Sequence, residues 1–193
     1  MRKSLLLIFL CGMLSATADE RGQYRLERIS RHYSALGNYS MKFVLRAGGG
    51  EQSGEISVSG NNSYLRVADT EVFVEDTLRY EVRSKAKEII IDRADAYEKG
   101  LLNPLSGFAS VAADYNIEEC ETEGRIAVRL TPKTSGETIC IITAVDGESI
   151  AKIQYGVGEN RAEVEVLRTQ KRGESCPRFS KECYKGFELI DFR

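Results

Sequence analysis

Residues 54–76, "GEISVSGNNSYLRVADTEVFVED", alternate apolar and polar side chains over three consecutive segments. A period of two places successive side chains on opposite faces of a β-strand, so this stretch predicts three antiparallel strands that share an apolar face. Turns are predicted at 60–62 and at Asp69, because Gly, Asn and Asp adopt the backbone angles of tight turns. The shared face would carry Ile56, Val58, Leu65, Val67, Val72 and Val74.

The same alternation continues on both sides of this stretch. Residues 39–47, "YSMKFVLRA", place Tyr39, Met41, Phe43 and Leu45 on one face, and "LRYEVRS" and "KEIIIDR" extend the pattern past Tyr80. Later strands are predicted at 113–120, 124–131, 137–143, 149–156 and 161–168, with hairpin turns between them. The tail "YKGFELIDFR" is predicted to be a final edge strand.

Two segments have helical character. Leu26, Ile29, Tyr33 and Leu36 recur at helical spacing, and Gly37-Asn38 ends that helix. Within residues 98–112, Asn103 is a good N-cap and Pro104 suits the first helical position, which predicts a second, short helix. The apolar residues of this segment include Leu101, Leu102, Leu105 and Phe108.

About eleven consecutive antiparallel strands cannot form a flat sheet, because strand twist accumulates and curls a sheet of that size. The predicted fold class is therefore mainly β with helices. Its architecture is an antiparallel, unclosed half-barrel with an N-terminal helix and a short central helix that acts as a lid. The apolar strand faces line its inside, and a partly filled interior of this kind is a ligand cavity.

The start of the chain predicts export. Arg2 and Lys3 precede the apolar run "SLLLIFLCGML", and small residues end at Ala18, as in a cleavable signal peptide at 1–18. Residues 19–193 then form one domain, with 25 basic against 29 acidic residues once Arg2 and Lys3 are removed. This weakly acidic balance, without a basic stripe, argues against nucleic-acid binding.

The cysteines also fit an exported protein. Without Cys11 four remain, and four cysteines allow three pairings. Cys120 and Cys140 fall on predicted strands separated by a third. Next-nearest strands lie about 9.6 Å apart, beyond the roughly 7 Å limit for a bridge. We therefore predict a disulfide between Cys176 and Cys183, which flank "PRFSKE".

The sequence contains little reactive chemistry. A hydrolase needs a nucleophile, a base and an orienting group, and the single histidine, His32, is most simply a helix residue at the edge of the buried stripe. One histidine and four scattered cysteines lack the spacing of zinc ligands. We expect no catalytic residue, no metal and no cofactor.

Several stretches resemble the LolA-like periplasmic lipoprotein carriers. "GEISVSGNNSYLRV" is similar to the family's strand, turn and returning strand, and "VEDTLRYEVRSKAKEIIID" to its next hairpins. "NPLSGF" and "GFELIDFR" resemble its central helix and its ending. The chain departs from the family at 59–62, where many members carry Arg-Pro in the turn, and at Asp76-Thr77, where many have Asp-Gly.

The resemblance implies a monomeric carrier in the periplasm of a Gram-negative bacterium. It would bind the acyl chains of lipoproteins or other acylated ligands, with inner-membrane release machinery and an outer-membrane acceptor as further partners. The residues expected to line the acyl site are Phe43, Leu45, Ile56, Val58, Leu65, Val67, Val72, Val74, Tyr80, Leu101, Leu102, Leu105 and Phe108.

Two other functions fit the same pattern. One is a periplasmic lipid-sensing regulatory domain on this fold, which a stable complex with the periplasmic region of a membrane protein would favour. The other is an enzyme that acts on a lipid-like substrate, which turnover of a bound lipid would reveal.

Overall fold

The computed structural model describes residues 18–94, 113–156 and 161–193. The predicted signal peptide, apart from Ala18, and the predicted helix within 98–112 lie outside these ranges. The described part of the chain is one helix, one large sheet and a C-terminal segment with a single 3-10 turn. None of the described helices has both the length and the apolar character needed to cross a membrane.

Helix α1 spans Ala18–Leu36, and a 3-10 helix spans Lys181–Tyr184. The twelve strands are β1 Tyr39–Ala47, β2 Gly50–Ser59, β3 Asn62–Val67, β4 Thr70–Glu75, β5 Leu78–Arg83, β6 Glu88–Arg93, β7 Tyr115–Thr122, β8 Arg125–Pro132, β9 Ile139–Thr143, β10 Ile150–Tyr155, β11 Ala162–Lys171 and β12 Glu188–Asp191.

All twelve strands belong to one sheet in the order β12-β6-β5-β4-β3-β2-β1-β11-β10-β9-β8-β7. Neighbouring strands are antiparallel except β12, which runs parallel to β6. In the described part of the chain, the edge strands β7 and β12 do not pair with each other, so the sheet stays open. The predicted half-barrel class is confirmed, with twelve strands where about eleven were expected and with the C-terminal tail as an edge strand.

Helix α1 forms where the helical spacing predicted it, and it buries the predicted stripe. Leu26, Ile29 and Tyr33 are at most 3% exposed. The helix ends at Leu36 because Gly37 adopts a φ of +69°, which a residue with a side chain rarely adopts, and its N–H donates to the Ser34 carbonyl at 3.1 Å.

We call the sheet face that packs against α1 the inner face. Its core joins the helix to strands on both sides of the β1–β11 pair, so this one cluster holds the middle of the sheet together. The buried members are Leu26, Ile29, Tyr33, Tyr39, Met41, Phe43, Ile56, Val58, Ile117, Val128, Leu130, Ile139, Ile141, Ile150 and Ile153.

A second apolar cluster lies on the opposite, outer face over β3–β6. Phe73, Val82, Ile89 and Ile91 are buried there. The C-terminal segment covers them, with Phe179 stacked on Tyr80 at a ring separation of 4.3 Å. This outer cluster fixes the tail to the sheet before the chain enters β12.

Gly22 allows α1 to approach the backbone of β7. A Cβ at this position would lie 2.9 Å from the Glu118 nitrogen and from the Ile117 carbonyl carbon. Gly-to-Ala exchange inside a helix ordinarily stabilises by about 1 kcal/mol. We expect Gly22→Ala instead to lower the free energy of unfolding by about 1–3 kcal/mol, because backbone atoms cannot yield as a side chain can.

Urea unfolding of the Gly22→Ala variant measures this effect. The matched control is Gly173→Ala, since no atom of the described residues lies within 4 Å of a Cβ placed at Gly173. A Gly22→Ala protein as stable as the wild type, or more stable, would show that α1 does not pack this closely on β7.

Candidate functional site

Eight of the residues expected to line the site share the inner face. The β1–β2 register pairs Met41 with Ile56 and Tyr39 with Val58, and the β2–β3 register pairs Ile56 with Leu65. The next pairing sets Leu65 against Val72. The eight residues form a continuous apolar lining over β1–β4: Phe43, Leu45, Ile56, Val58, Leu65, Val67, Val72 and Val74.

Burial varies along this apolar lining. Ile56, Val58 and Val74 are buried at 3% exposure or less. Leu45, Leu65 and Val67 are half-buried and pack against the inner core. The half-buried members are therefore the ones a ligand could reach with the least rearrangement.

Gly54 shapes the lining by leaving room for an aromatic ring. A Cβ at Gly54 would overlap the Phe43 ring at Cζ and would lie 2.8 Å from Val67 Cγ2. The Phe43 ring therefore crosses β2 above Gly54 and approaches Val67 on β3. This glycine is required for the ring to extend the apolar lining across three strands.

Tyr80 does not belong to the lining. The β4–β5 register pairs Tyr80 with Phe73, which places it on the outer face in the second cluster. The reason is the turn: β4 and β5 are joined by two residues, Asp76 and Thr77, so Val74 faces Arg79. Tyr80 was expected on the inner face, and that expectation was wrong. A shift of one residue in register reverses the face on which each side chain of a strand lies.

The inner face of β5 is instead charged. Arg79, Glu81 and Arg83 pair with Val74, Val72 and Thr70. Glu81 forms ion pairs with both arginines. Although burial opposes it, the two guanidinium groups lower the pKa of the Glu81 carboxyl. A polar border thus ends the apolar lining after β4.

The remaining lining residues expected from the sequence, Leu101, Leu102, Leu105 and Phe108, lie outside the described residues. Their place relative to the inner face remains a prediction.

Charged side chains of α1 attach the helix to the β9–β10 turn. Arg28 binds Glu148, and Nδ1 of His32 lies 3.7 Å from a Glu148 carboxylate oxygen. Arg25 donates to the Gly147 carbonyl at 3.2 Å and binds Glu119 on β7 at 2.8 Å. We call these contacts with the turn the helix clamp. No motif in the sequence indicated it.

The helix clamp contains a histidine beside a serine, but its hydrogen bonding is not that of a nucleophile. Ser149 Oγ lies 3.3 Å from His32 Nε2. The same hydroxyl donates to Asp146 Oδ2 at 2.6 Å, and Asp146 also accepts from the backbone N–H of Ser149 at 2.8 Å. Asp146 therefore accepts a hydrogen bond from the Ser149 hydroxyl within the turn. These contacts stabilise the turn and its attachment to the helix.

The helix clamp should weaken in acid. The hydrogen bond from Arg28 lowers the pKa of Glu148 below its ordinary value of 4.5, and nearby His32 acts in the same direction. A lowered folded-state pKa contributes stability that is present above the unfolded value and is lost as the pH falls through the folded value. We expect Glu148→Gln to lower stability at neutral pH and to reduce the loss of stability below about pH 4.5.

Thermal unfolding of Glu148→Gln between neutral and acid pH measures this change. Glu174→Gln is the control, since the Glu174 side chain is 89% exposed. Identical pH dependence in Glu148→Gln and wild type would show that Glu148 adds nothing to the attachment of α1.

Tyr39, at the start of β1, combines full burial with a polar hydroxyl group. Its side chain is 0% exposed, and its ring lies 5.1 Å from the Tyr33 ring. The Tyr39 hydroxyl is buried without a hydrogen-bond partner among the described residues. Burial raises the pKa of Tyr39 well above its ordinary value, so the group remains a neutral donor at every physiological pH.

The cysteines differ in part from expectation. Cys176 is buried and Cys183 exposed, both as free thiols, so their pairing remains a prediction. Cys120 and Cys140 lie on β7 and β9 as expected, yet the Cys120 thiol interacts with that of Cys140. Burial raises the pKa of the Cys140 thiol, and the neighbouring Cys120 thiol raises it further. Strand β8 does lie between β7 and β9, as expected, and both thiols are free; the two thiols nevertheless come close enough to interact.

Curling of the β7–β8 hairpin over the outer face explains this proximity. Glu123, in the hairpin turn, reaches Lys152 on β10 at 3.1 Å. A flat sheet would keep the turn and Lys152 well apart. The spacing of about 9.6 Å between alternate strands therefore overestimates the separation of the thiols at this corner.

Two surface cavities formed by described residues lie at the edge of the sheet, away from the apolar lining. One, of about 440 Å³, is lined by Glu119, Cys120, Glu121, Gly124, Arg125 and Ile126. The other, of about 380 Å³, is lined by Glu20, Arg21, Tyr24, Arg25 and Glu119. Both are rich in charged side chains, and neither contains a residue that was expected to bind an acyl chain.

The fold and the lining define an open, helix-covered half-barrel with one apolar inner face. No protein-family model matches the chain, and no curated protein matches it. Among solved structures, an uncharacterized conserved protein from Thermus thermophilus is similar over 89% of this chain and 99% of its own, at 8% identity and a TM-score of 0.58. That protein shares the fold.

Two further solved structures are similar at lower scores. One is the MucA/MucB complex of Pseudomonas aeruginosa, with 16% identity, a TM-score of 0.47 and 86% of this chain covered. The chain spans 61% of the length of that match. The other is an outer membrane lipoprotein-sorting protein domain from Vibrio parahaemolyticus, with 9% identity, a TM-score of 0.45 and coverage of 86% of this chain and 97% of its own.

The structure has the fold that the resemblance to the LolA-like carriers implied: an open antiparallel sheet with an N-terminal helix on its inner face. At identities this low, the comparisons establish the fold alone.

Proposed function

We propose that this protein is a periplasmic carrier that binds the acyl chains of lipoproteins or other acylated ligands on its inner face. The observation that supports the proposal is the continuous apolar lining over β1–β4, with half-buried members at Leu45, Leu65 and Val67. Such a surface suits a long hydrocarbon chain, because strands add apolar side chains in rows across the sheet.

The energetics of such binding are sufficient without specific polar contacts. Each buried methylene contributes about 0.8 kcal/mol, so a chain of about fourteen carbons contributes on the order of 10 kcal/mol before ordering costs are subtracted. A carrier must also release its ligand. A covering element that competes for the same apolar surface would lower the net affinity and make release possible.

Helix α1 is a covering element of this kind within the described residues. Its Tyr33 ring packs on Tyr39 of β1, and both residues belong to the inner core that also contains Ile56 and Val58 of β2. Its polar attachment depends on the helix clamp at Glu148, whose ion pairs lie near the surface. Opening at this side would break solvent-accessible contacts, which each contribute little to stability.

Native mass spectrometry of the protein purified from the periplasm of its own host tests the proposal. We expect a bound fraction whose added mass is that of a lipid or an acylated peptide, and which acid extraction removes. Protein that carries no added mass, and that fails to bind an added fatty acid, would contradict the proposed function. An acyl ligand that is hydrolysed during incubation would instead indicate an enzyme.

A further inference from the structure

The Tyr39 hydroxyl is a buried polar group to which the described part of the fold offers no partner. A buried donor without a partner loses its hydrogen bonds to water and gains none in return, so it destabilises the state that contains it. Phenylalanine would fill the same space without this loss. Within the described residues, the hydroxyl is therefore available to a ligand as a hydrogen-bond donor.

The neighbouring tyrosine shows that this part of the core can satisfy a phenol. Tyr33 packs against Tyr39, and its hydroxyl oxygen accepts the backbone N–H of Ile150 at 3.1 Å. Two adjacent phenols thus differ in one respect: the Tyr33 hydroxyl anchors the helix to β10, and the Tyr39 hydroxyl bonds to none of the described residues.

Tyr39 also lies in line with the apolar lining. Its partner across the strand pair is Val58, and the same row continues through Ser63 to Val74. Tyr39 thus borders the lining on β1, at the side where Tyr33 of α1 packs against it.

We propose that the Tyr39 hydroxyl is the hydrogen-bond donor that holds the oxygen-bearing end of the ligand: the carbonyl or carboxylate oxygen of an acyl chain. This inference rests on the proposed function and specifies its ligand class. The site selects a hydrocarbon chain that carries an oxygen acceptor at its end over a hydrocarbon without one.

The arrangement also links binding to the helix. In the empty protein, α1 packs through Tyr33 over a hydroxyl that no described residue satisfies, which makes the closed empty state less stable than its packing alone would allow. A ligand oxygen at Tyr39 removes that penalty. The packing beneath α1, the helix that must move, is therefore more stable in the ligand-bound protein than in the empty protein.

Competition binding tests the inference. The probe is an uncharged aminoanthracene fluorophore, and the competitors are palmitic acid, methyl palmitate and hexadecane. We expect wild type to bind the acid and the ester about tenfold more tightly than the alkane, as one added hydrogen bond allows. Tyr39→Phe should bind all three with the affinity of the alkane and should be at least as stable as wild type when empty.

The matched control is Tyr24→Phe. Tyr24 lies on α1 and is 55% exposed, so its substitution should change neither the ligand preference nor the stability. A Tyr39→Phe protein that keeps the preference would overturn the inference, whatever its stability. Wild type that binds all three competitors equally would overturn it too and leave acyl binding intact. Wild type that binds none of them would contradict the proposed function itself.

Discussion

Leu65→Glu is expected to weaken acyl binding at least 30-fold while the protein stays folded. Leu65 is half-buried on β3 in the middle of the apolar lining, between Ile56 and Val72. A carboxylate there would lie against hydrocarbon, and a charge that loses water without a partner costs several kcal/mol. Since about 1.4 kcal/mol corresponds to a tenfold change in affinity, a loss of more than about 30-fold follows.

The neighbouring residue supplies the matched control. Arg66 is exposed on the outer face of the same strand, so Arg66→Glu introduces the same side chain one position away. Fluorescent fatty-acid titration, with circular dichroism to verify folding, should separate the two variants. Equal affinity of folded Leu65→Glu and Arg66→Glu would contradict an acyl site on the inner face.

Phe73→Ala is expected to lower the free energy of unfolding by about 3–5 kcal/mol, as removal of a buried phenylalanine does. Phe73 is 3% exposed and is the centre of the outer cluster. The centroid of its ring lies 4.9 Å from that of Tyr64, 5.8 Å from that of Phe179 and 6.4 Å from that of Tyr184. Two of these three partners come from the C-terminal segment, so the substitution should also loosen the tail.

Urea unfolding gives the stability of Phe73→Ala, and limited trypsin digestion reports the tail through cleavage at Arg178 and Lys181. Phe192→Ala is the control, because Phe192 is 65% exposed and its loss should change stability by less than about 0.5 kcal/mol. Loss of stability in Phe73→Ala without faster cleavage in the tail would show that the outer cluster does not hold the C-terminal segment.

Much of the fold follows from local patterns in the sequence. The alternation around Ile56 and Leu65 predicted which side chains share a face, because one buried face specifies strand register strongly. The turns form where the sequence indicated: Gly60 adopts a positive φ, and so does Ala68 beside Asp69. The helical stripe of Leu26, Ile29 and Tyr33 is buried as predicted.

The position of Tyr80 could not be obtained in the same way. In "LRYEVRS", apolar and charged residues alternate, so the strand has two distinct faces. One face carries Leu78, Tyr80 and Val82, and the other carries the charged residues. Only the length of the turn after Glu75 decides which set faces inward, and one residue of difference reverses the result. The apolar set of β5 in fact faces outward, against residues of the C-terminal segment.

Interactions over long sequence distances were also missed. The helix clamp joins Arg28 to Glu148, and the hairpin curl joins Glu123 to Lys152. Both depend on how the complete sheet bends, and no periodicity encodes that bend. The unsatisfied hydroxyl of Tyr39 within the described residues was missed for a similar reason, since its sequence position indicated only an apolar strand residue.

The central claim is that an acyl chain lies on the inner face over β1–β4, and photocrosslinking with a diazirine-bearing palmitic acid tests it most directly. After irradiation, digestion and mass spectrometry, the account predicts labels on peptides that contain Leu45, Leu65 and Val67, and fewer labels when palmitic acid competes. Labels confined to the outer cluster around Tyr80 and Phe179, with the inner-face peptides unmodified, would contradict it.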